Sequence, residues 1–199
     1  MNKPTPMHLA ITLDLDRLDL SFPRLIELIN YQVQNAIPVL TVGFHKDTMN
    51  EKLAEFFKFY LNKSFLKENK IKVSFLGKWY DLPSVLVEEF KEILDLTKEF
   101  DAYFLNFVIN YDGQREIVDA CQILARQIVA DKIDIENISE SAIKENIYSS
   151  YFVPPDIIIK TGDQNKLDGF LLWDSKDSRI IFTNRSFSEM TIQEIENLF

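Results

Sequence analysis

The sequence has few glycines, a single cysteine, no long apolar run and a shortage of positive charge, and each shortage excludes a class of protein. The five glycines are never spaced as in a P-loop or a dinucleotide-binding fingerprint, which argues against a standard nucleotide site. Cys121 is the only cysteine, which excludes an internal disulfide and a multi-cysteine metal site. Its apolar helical surroundings predict a reduced, buried side chain.

No segment is apolar enough to span a bilayer, and the first residues, MNKPTPMH, lack the apolar core of a signal peptide. We therefore expect a cytoplasmic protein that at most contacts a membrane from the side. The net charge of −9 excludes a general nucleic-acid binder, because phosphate backbones require a basic face. A phosphorylated ligand must instead meet a local cluster of lysines and arginines.

Six strand-like runs alternate with amphipathic stretches along the 199 residues, a length that suits one domain, 1–199. This alternation predicts an α/β fold with a mostly parallel six-stranded sheet flanked by helices. The expected strands are His8–Leu13, Val39–Phe44, Ile71–Leu76, Phe104–Ile109, Ile157–Ile159 and Ile180–Phe182.

Helix signals lie between these strands. Ser21 is the expected N-cap of the first helix, with Pro23 close behind it. The second helix, from Glu51 to about Lys67, carries aromatic residues on several faces, which indicates cover by the core or by a ligand. Near the end of the chain, Thr191 and Glu194 form a capping box that begins a short helix.

A ligand site is predicted where the strand Ile157–Ile159 ends in Lys160. Ligands of parallel α/β sheets bind at the carboxyl ends of strands. The polar loop 163–168 that follows carries Lys166 and is held between two apolar runs, Phe170–Trp173 and Ile180–Phe182. The two lysines can therefore present positive charge to an anion.

The same segment, PDIIIKTGDQNKLDGFLLW, resembles the motif PDLxIRTxGExRxSxFLLW of the cis-prenyltransferase (undecaprenyl diphosphate synthase-like) family. Two further segments are similar to family motifs: HLAITLDLDRLDL to HVAIIMDGNxRW, and FLNFVINYDGQREIVDA to LNIAxNYGGRxEIVxA. Within the family, the sequence most resembles a divergent archaeal branch. The resemblance implies Mg²⁺-dependent addition of isopentenyl diphosphate to an allylic diphosphate, giving a long-chain polyprenyl diphosphate.

The resemblance also implies roles for individual residues. Asp14 matches the family's essential aspartate, and a carboxylate at the end of a parallel strand is suited to bind Mg²⁺ against a diphosphate. Lys160 and Lys166 fall on the two arginines that hold the diphosphate of isopentenyl diphosphate. Arg17 and Arg24 are the cations that remain near the allylic diphosphate. The hydrophobic product is expected beside the aromatic second helix.

The chain departs from the family pattern at several charged positions. The basic, glycine-containing loop after the essential aspartate is missing. The motif FSxENWxR falls on Phe44–Glu51, where its serine, asparagine, tryptophan and arginine are all replaced, the serine by His45. The second acid of the family, which assists magnesium binding, falls on Arg179. Because each electrostatic contact of this kind contributes on the order of 3 kcal/mol to the transition state, we expect little turnover by the chain alone.

Three hypotheses follow from this pattern. The first is a catalytically degraded accessory subunit that works beside a motif-complete cis-prenyltransferase homologue. The second is an active Mg²⁺-dependent polyprenyl diphosphate synthase that acts alone or as a homodimer and uses Asp14, Lys160 and Lys166. The third is an isoprenoid-binding regulatory protein.

Overall fold

A computed structural model describes residues 5–13, 18–44 and 50–198 of the chain. Its centre is a six-stranded sheet in the order β3–β4–β2–β1–β5–β6, with every neighbouring pair parallel. The strands are β1 His8–Leu13, β2 Val39–Phe44, β3 Ile71–Leu76, β4 Tyr103–Val108, β5 Ile157–Lys160 and β6 Arg179–Phe182. The predicted α/β fold is confirmed, and each predicted strand agrees with the structure to within one residue at either end.

Apolar residues cover both faces of the sheet, as expected of a parallel sheet. All six residues of β1 are buried, and its apolar residues are divided between two clusters. Leu9 and Ile11 join the larger cluster with residues from the helices, whereas Ala10 faces a smaller cluster that contains Phe152 and Phe170. The helices and loops after β4 and β5 therefore help to form the layer on this second face.

Seven α-helices lie within the described ranges, six of them between strands and the last after β6. They are α1 Leu18–Gln34, α2 Asn50–Glu55, α3 Lys63–Glu68, α4 Ser84–Thr97, α5 Gly113–Val129, α6 Glu140–Lys144 and α7 Ile192–Asn197. The capping box of α7 is confirmed: the Thr191 hydroxyl accepts from the Glu194 N–H, and the Glu194 carboxylate accepts from the Thr191 N–H. The expected N-cap at Ser21 is wrong, because α1 already begins at Leu18 and includes Pro23.

The expected second helix is divided into three pieces. After α2 the chain forms a π-helical turn, Phe56–Tyr60, and Leu61 then adopts an extended conformation. Asn62 begins α3, because its side chain accepts hydrogen bonds from the backbone N–H groups of Ser64 and Phe65. The π-turn buries Phe56 and Phe57 and leaves Phe59 and Tyr60 exposed to solvent.

The buried aromatic residues of this region pack against one another. The Phe57 ring is fully buried, and its centroid lies 4.8–5.3 Å from those of Phe56, Phe75, Phe90 and Phe107. Edge-to-face contacts at these distances are the favoured geometry for aromatic pairs. The aromatic side of the second helical region therefore faces the protein core.

The expectation of a buried cysteine is wrong, because Cys121 is exposed on α5. The buried side of this helix is formed by Gly113, Glu116, Ala120 and Leu124. These residues are spaced by three or four positions and share one face. Cys121 follows Ala120 directly, so its side chain is turned about 100° away from that face.

Candidate active site

A pocket lies at the carboxyl edge of the sheet, where the ends of four neighbouring strands meet. It is lined by Thr12, Gly43, Phe44, Val108, Tyr111, Lys160, Asp168 and Phe170. The described residues leave about 30 Å³ of space in this pocket. A space of this size can hold a water-sized polar group.

Lys160 supplies the positive charge of this pocket. It is the last residue of β5 and only 4% exposed, and its Nζ lies 5.8 Å from the centroid of the Phe170 ring. Burial lowers the pKa of Lys160, and the Asp168 carboxylate opposes this shift. Among the residues that the structure describes, Lys160 is the only lysine or arginine that lines the pocket.

Thr12 supplies a hydroxyl beside this lysine. It is paired with Lys160 in the register of β1 and β5 and is 4% exposed. Its Oγ1 has no hydrogen-bond partner among the described residues. The Thr12 carbonyl is engaged separately, since it accepts a hydrogen bond of 2.7 Å from the Thr161 hydroxyl. A buried hydroxyl without a partner is costly unless a ligand or water binds it, so Thr12 and Lys160 together favour a small oxyanion.

The segment after β5 closes the pocket in a strained conformation. Asp168 and Leu171 have positive φ values of 51° and 45°, a region that non-glycine residues rarely adopt. The Phe170 ring lies against the Cα of Gly43, where a Cβ atom would overlap the ring. Gly43 is therefore required at the end of β2 so that Phe170 can cover the pocket.

A buried hydrogen-bond network holds Tyr111, another residue that lines the pocket. The Tyr111 hydroxyl donates a hydrogen bond of 2.6 Å to the carboxylate of Glu116, which also accepts from the backbone N–H of Tyr148 at 3.0 Å. Burial raises the pKa of Glu116, and the hydrogen bonds from the two tyrosines oppose this shift. The preceding residue, Asn110, has a φ of 49° and donates from its amide to the Lys78 carbonyl. This turn therefore fixes the position of Tyr111 beside the pocket.

The structure separates the predicted diphosphate-binding residues. Lys160 lines the pocket, whereas Lys166 is exposed on the following loop and does not line it. Arg24 lies on α1 and binds the carboxylate of Glu27 one helical turn along. Asp14, the predicted catalytic residue and magnesium ligand, lies outside the described residues.

Three further positions that the sequence analysis singled out lie away from the pocket or outside the described part of the chain. Arg17 and His45 belong to ranges that the structure does not describe. Arg179 is exposed at the amino end of β6, opposite the edge of the sheet where Lys160 lies. It therefore does not contribute to this pocket.

A family model described as "Putative undecaprenyl diphosphate synthase" matches residues 45–199, which is most of the chain. The chain belongs to this prenyltransferase family. The match includes the strand that ends in Lys160 and the segment that places Phe170 over Gly43.

Several relatives of this chain are bacterial or archaeal. A tritrans,polycis-undecaprenyl-diphosphate synthase (geranylgeranyl-diphosphate specific) from Thermoplasma volcanium is 35% identical over 124 residues, covering 62% of this chain and 48% of the relative. The protein of the same name from Picrophilus torridus is 28% identical over 178 residues, covering 84% and 70%. An isoprenyl transferase from Thermotoga maritima is 32% identical over 126 residues, covering 63% and 53%. The matched part thus spans about half the length of the Thermoplasma and Thermotoga relatives.

Solved structures share the fold. Lavandulyl diphosphate synthase from Lavandula x intermedia, in complex with dimethylallyl diphosphate, superposes with a TM-score of 0.88 at 18% identity, covering 98% of this chain and 93% of that one. A probable undecaprenyl diphosphate synthase from Campylobacter jejuni gives 0.76 at 20% identity, covering 99% and 93%. In the described part of the chain, no helix is long and apolar enough to cross a membrane.

Proposed function

We propose that the chain is an accessory subunit of a cis-prenyltransferase that makes long-chain polyprenyl diphosphate from isopentenyl diphosphate and an allylic diphosphate. Its partner would be a motif-complete homologue that performs most of the catalysis. The observation that carries this proposal is the shortage of positive charge at the pocket, where Lys160 is the single lining cation within the described residues. A diphosphate carries several negative charges, and one lysine neutralises only one of them.

The chemistry of the family makes this shortage important. Prenyl transfer requires the allylic diphosphate to leave, so cations must stabilise the negative charge that develops on it. Lysine is a point charge and lacks the planar fork with which arginine binds two oxygens of a phosphate. Arg24 is held by Glu27 and Lys166 lies in solvent, so neither compensates at this pocket.

Magnesium belongs to the proposal as a ligand of the substrate diphosphate. Mg²⁺ sites in proteins commonly use one or two carboxylates together with phosphate oxygens and water. The described pocket offers the Asp168 carboxylate and the unpartnered Thr12 hydroxyl, which are both hard oxygen donors. Asp14 is the expected principal ligand. When bound, the ion would offset part of the diphosphate charge.

The packing of the aromatic region also favours an accessory role. The family resemblance places the hydrophobic product beside the second helical region, but Phe57 and its four ring neighbours fill that side of the sheet. An elongating chain would have to displace rings that are at most 7% exposed. Moving a buried phenylalanine ring out of the core exposes its apolar surface to water, which costs about 1.5–3 kcal/mol for each ring.

Steady-state prenyl transfer tests the proposal. The purified chain is incubated with Mg²⁺, geranylgeranyl diphosphate and labelled isopentenyl diphosphate, alone and together with a motif-complete homologue from the same genome. We expect no elongated product from the chain alone, and a stable complex with a higher rate or a longer product from the mixture. Elongation by the chain alone at the rate of the homologue would instead favour an active synthase. Ligand binding without any effect on the homologue would favour an isoprenoid-binding regulator.

A binding measurement tests the pocket independently of turnover. Titration calorimetry with Mg²⁺ and inorganic pyrophosphate is performed on the wild type, Lys160→Met and Lys166→Met. A hydrogen bond to a charged group contributes about 1.5–3 kcal/mol, so we expect Lys160→Met to weaken binding by roughly 10- to 150-fold. The matched variant Lys166→Met should bind almost as tightly as the wild type, because its side chain is outside the pocket. Equal losses of affinity in Lys160→Met and Lys166→Met would show instead that the loop 163–168 brings Lys166 to the bound pyrophosphate.

A further inference from the structure

A single buried carboxylate, Glu116 on α5, connects separate parts of the chain near the pocket. Its side chain is 1% exposed. One of its oxygens accepts from the Tyr111 hydroxyl at 2.6 Å, and the other accepts from the backbone N–H of Tyr148 at 3.0 Å. Both partners are donors, so this arrangement suits the ionised carboxylate, which can only accept hydrogen bonds.

The Tyr111 hydroxyl takes part in two hydrogen bonds. It donates its proton to Glu116, and its oxygen accepts from the backbone N–H of Leu172. Tyr111 also lines the pocket, together with Thr12 and Lys160. While Glu116 is ionised, the tyrosine proton is therefore held by the carboxylate and is not offered to a ligand.

A proton on Glu116 would reverse the hydrogen bond between the two side chains. The acid would then donate to the tyrosine oxygen, which can accept from Glu116 and from the Leu172 N–H at the same time. Tyr111 keeps its own proton, and this proton turns toward another acceptor. The second oxygen of Glu116 continues to accept from the Tyr148 N–H.

We propose that the binding of an oxyanion in the pocket is coupled to the uptake of one proton from solvent by Glu116, which frees the Tyr111 hydroxyl to donate to the bound anion. This inference rests on the proposed binding of an oxyanion between Thr12 and Lys160. Tyr111 thus becomes a ligand-binding residue, and Glu116 is the residue that positions its proton.

Two effects of the added proton act in the same direction. The freed hydroxyl gives the anion one more hydrogen bond, of the stronger kind that involves a charged group. The negative charge of Glu116 also disappears, which removes a repulsion between like charges. Because such coupling is reciprocal, a bound anion makes Glu116 bind its proton more tightly.

The charged groups around Glu116 do not oppose this change. Burial raises the pKa of Glu116, and the two hydrogen bonds that it accepts act against this shift. Asp174 raises the pKa further and Lys144 lowers it, and these two side chains form an ion pair of 2.8 Å. On the same helix, the Asp119 carboxylate is bound by Lys78 at 3.0 Å. Since Asp174 and Lys144 act in opposite directions, burial and the hydrogen bonds decide when Glu116 takes up a proton.

Titration calorimetry with sulfate measures the coupling. Sulfate keeps its two charges throughout the neutral range, so a proton that is taken up on binding enters the protein. Titrations in buffers with different enthalpies of ionisation give the number of protons taken up. For the wild type we expect proton uptake at pH values just above the raised pKa of Glu116. The sulfate affinity should rise by about 10- to 150-fold as the pH falls through this range, the value of a hydrogen bond to a charged group.

Substitutions separate this coupling from a purely structural role. Glu116→Gln mimics the protonated acid, because its amide can accept from the Tyr148 N–H and donate to the Tyr111 oxygen. We expect it to bind sulfate at every pH as tightly as the wild type does at low pH, without proton uptake. Tyr111→Phe should bind at every pH as weakly as the wild type does at high pH. The matched control Asp119→Asn changes a carboxylate that binds Lys78 and the Tyr148 hydroxyl, so it should keep the wild-type pH profile.

Infrared difference spectra recorded on the addition of sulfate detect the acid directly, and the wild-type spectra decide the question even if a variant does not fold. The wild type should gain the C=O band of a protonated carboxyl group. Sulfate binding without this band, or equal proton uptake by Glu116→Gln, would overturn the coupling alone. So would a folded Glu116→Gln variant that binds more weakly than the wild type at high pH. No binding of either sulfate or pyrophosphate at any pH would overturn the oxyanion pocket together with the coupling.

Discussion

Acidification should destabilise this protein through one buried histidine, His8 at the start of β1. Its side chain is 2% exposed, and its Nδ1–H donates a hydrogen bond of 2.6 Å to the Val153 carbonyl. The other ring nitrogen, Nε2, lies 2.7 Å from the Thr41 hydroxyl, and that hydroxyl accepts from the Asn106 amide at 3.1 Å. Burial lowers the pKa of His8, so the ring is neutral in the folded protein near pH 7 and Nε2 accepts from Thr41. Adding a proton at Nε2 would place a charge in the core.

The structure gives both the sign and the size of the effect. Desolvation by burial lowers the pKa of His8 from 6.5 to about 4, against smaller opposing contributions from Val153 and nearby carboxylates. Between these two values the unfolded chain binds a proton that the folded chain does not bind. The stabilisation is complete above pH 6.5 and is lost as the pH falls through about 4. At about 1.4 kcal/mol per pH unit, His8 accounts for about 3 kcal/mol.

Urea denaturation at a series of pH values between 7 and 4 measures this loss. Several carboxylates also titrate in this interval, so the informative quantity is the difference between the wild type and His8→Gln, which cannot gain the proton. We expect the wild type to lose about 3 kcal/mol more than the variant over the interval. Parallel profiles for the two proteins, or an NMR titration of His8 near pH 6.5, would refute the buried neutral ring.

Three further outcomes are expected from substitutions. Phe57→Ala should lower the free energy of unfolding in urea by about 3–5 kcal/mol, whereas Phe59→Ala, at a residue 72% exposed, should change it by about 0.5 kcal/mol or less; similar losses would contradict the assigned burial. Burial raises the pKa of Glu116 above 4.5, so the folded protein holds this proton more tightly than the unfolded chain does. The urea midpoint of the wild type should therefore fall as the pH rises from 4.5 toward the raised pKa, and the midpoint of Glu116→Gln should not show this fall. Gly113→Ala would place a Cβ against the Gly169 carbonyl and 2.5 Å from the Leu172 Cβ, so its thermal midpoint should fall by several degrees, and an unchanged midpoint would disprove the close approach.

The features that could be predicted from the sequence are those with a local cause. The six strands are short β-rich runs between turn residues, and the capping box of α7 needs only Thr191 and Glu194. The sequence analysis did not predict the division of the second helix, although Asn62, the N-cap of α3, indicates where a new helix begins. A single capping residue inside an aromatic, helix-compatible run is a weak signal beside the hydrophobic periodicity around it. The exposure of Cys121 was missed because apolar residues lie on both sides of α5.

The candidate site was predictable only in part for the same reason. Lys160 was found because it ends a buried strand, which is a local pattern. Thr12 was missed because a threonine in a strand is ordinary, and its unpartnered hydroxyl depends on the neighbouring strand. Gly43 was noted only for its spacing to other glycines, whereas its role is to admit Phe170, far along the chain.

Within the described residues, the pocket combines close packing with a single lining cation, Lys160. Phe170, Tyr111 and the strained turn at Asp168 are held by close packing, and these contacts depend on shape rather than on the charge of a ligand. The electrostatic contacts are different, because each one stabilises the transition state by on the order of 3 kcal/mol and can be lost without unfolding the protein. An accessory subunit, as proposed above, needs the packing contacts but not the electrostatic ones. A chain that turns over substrate by itself would need both.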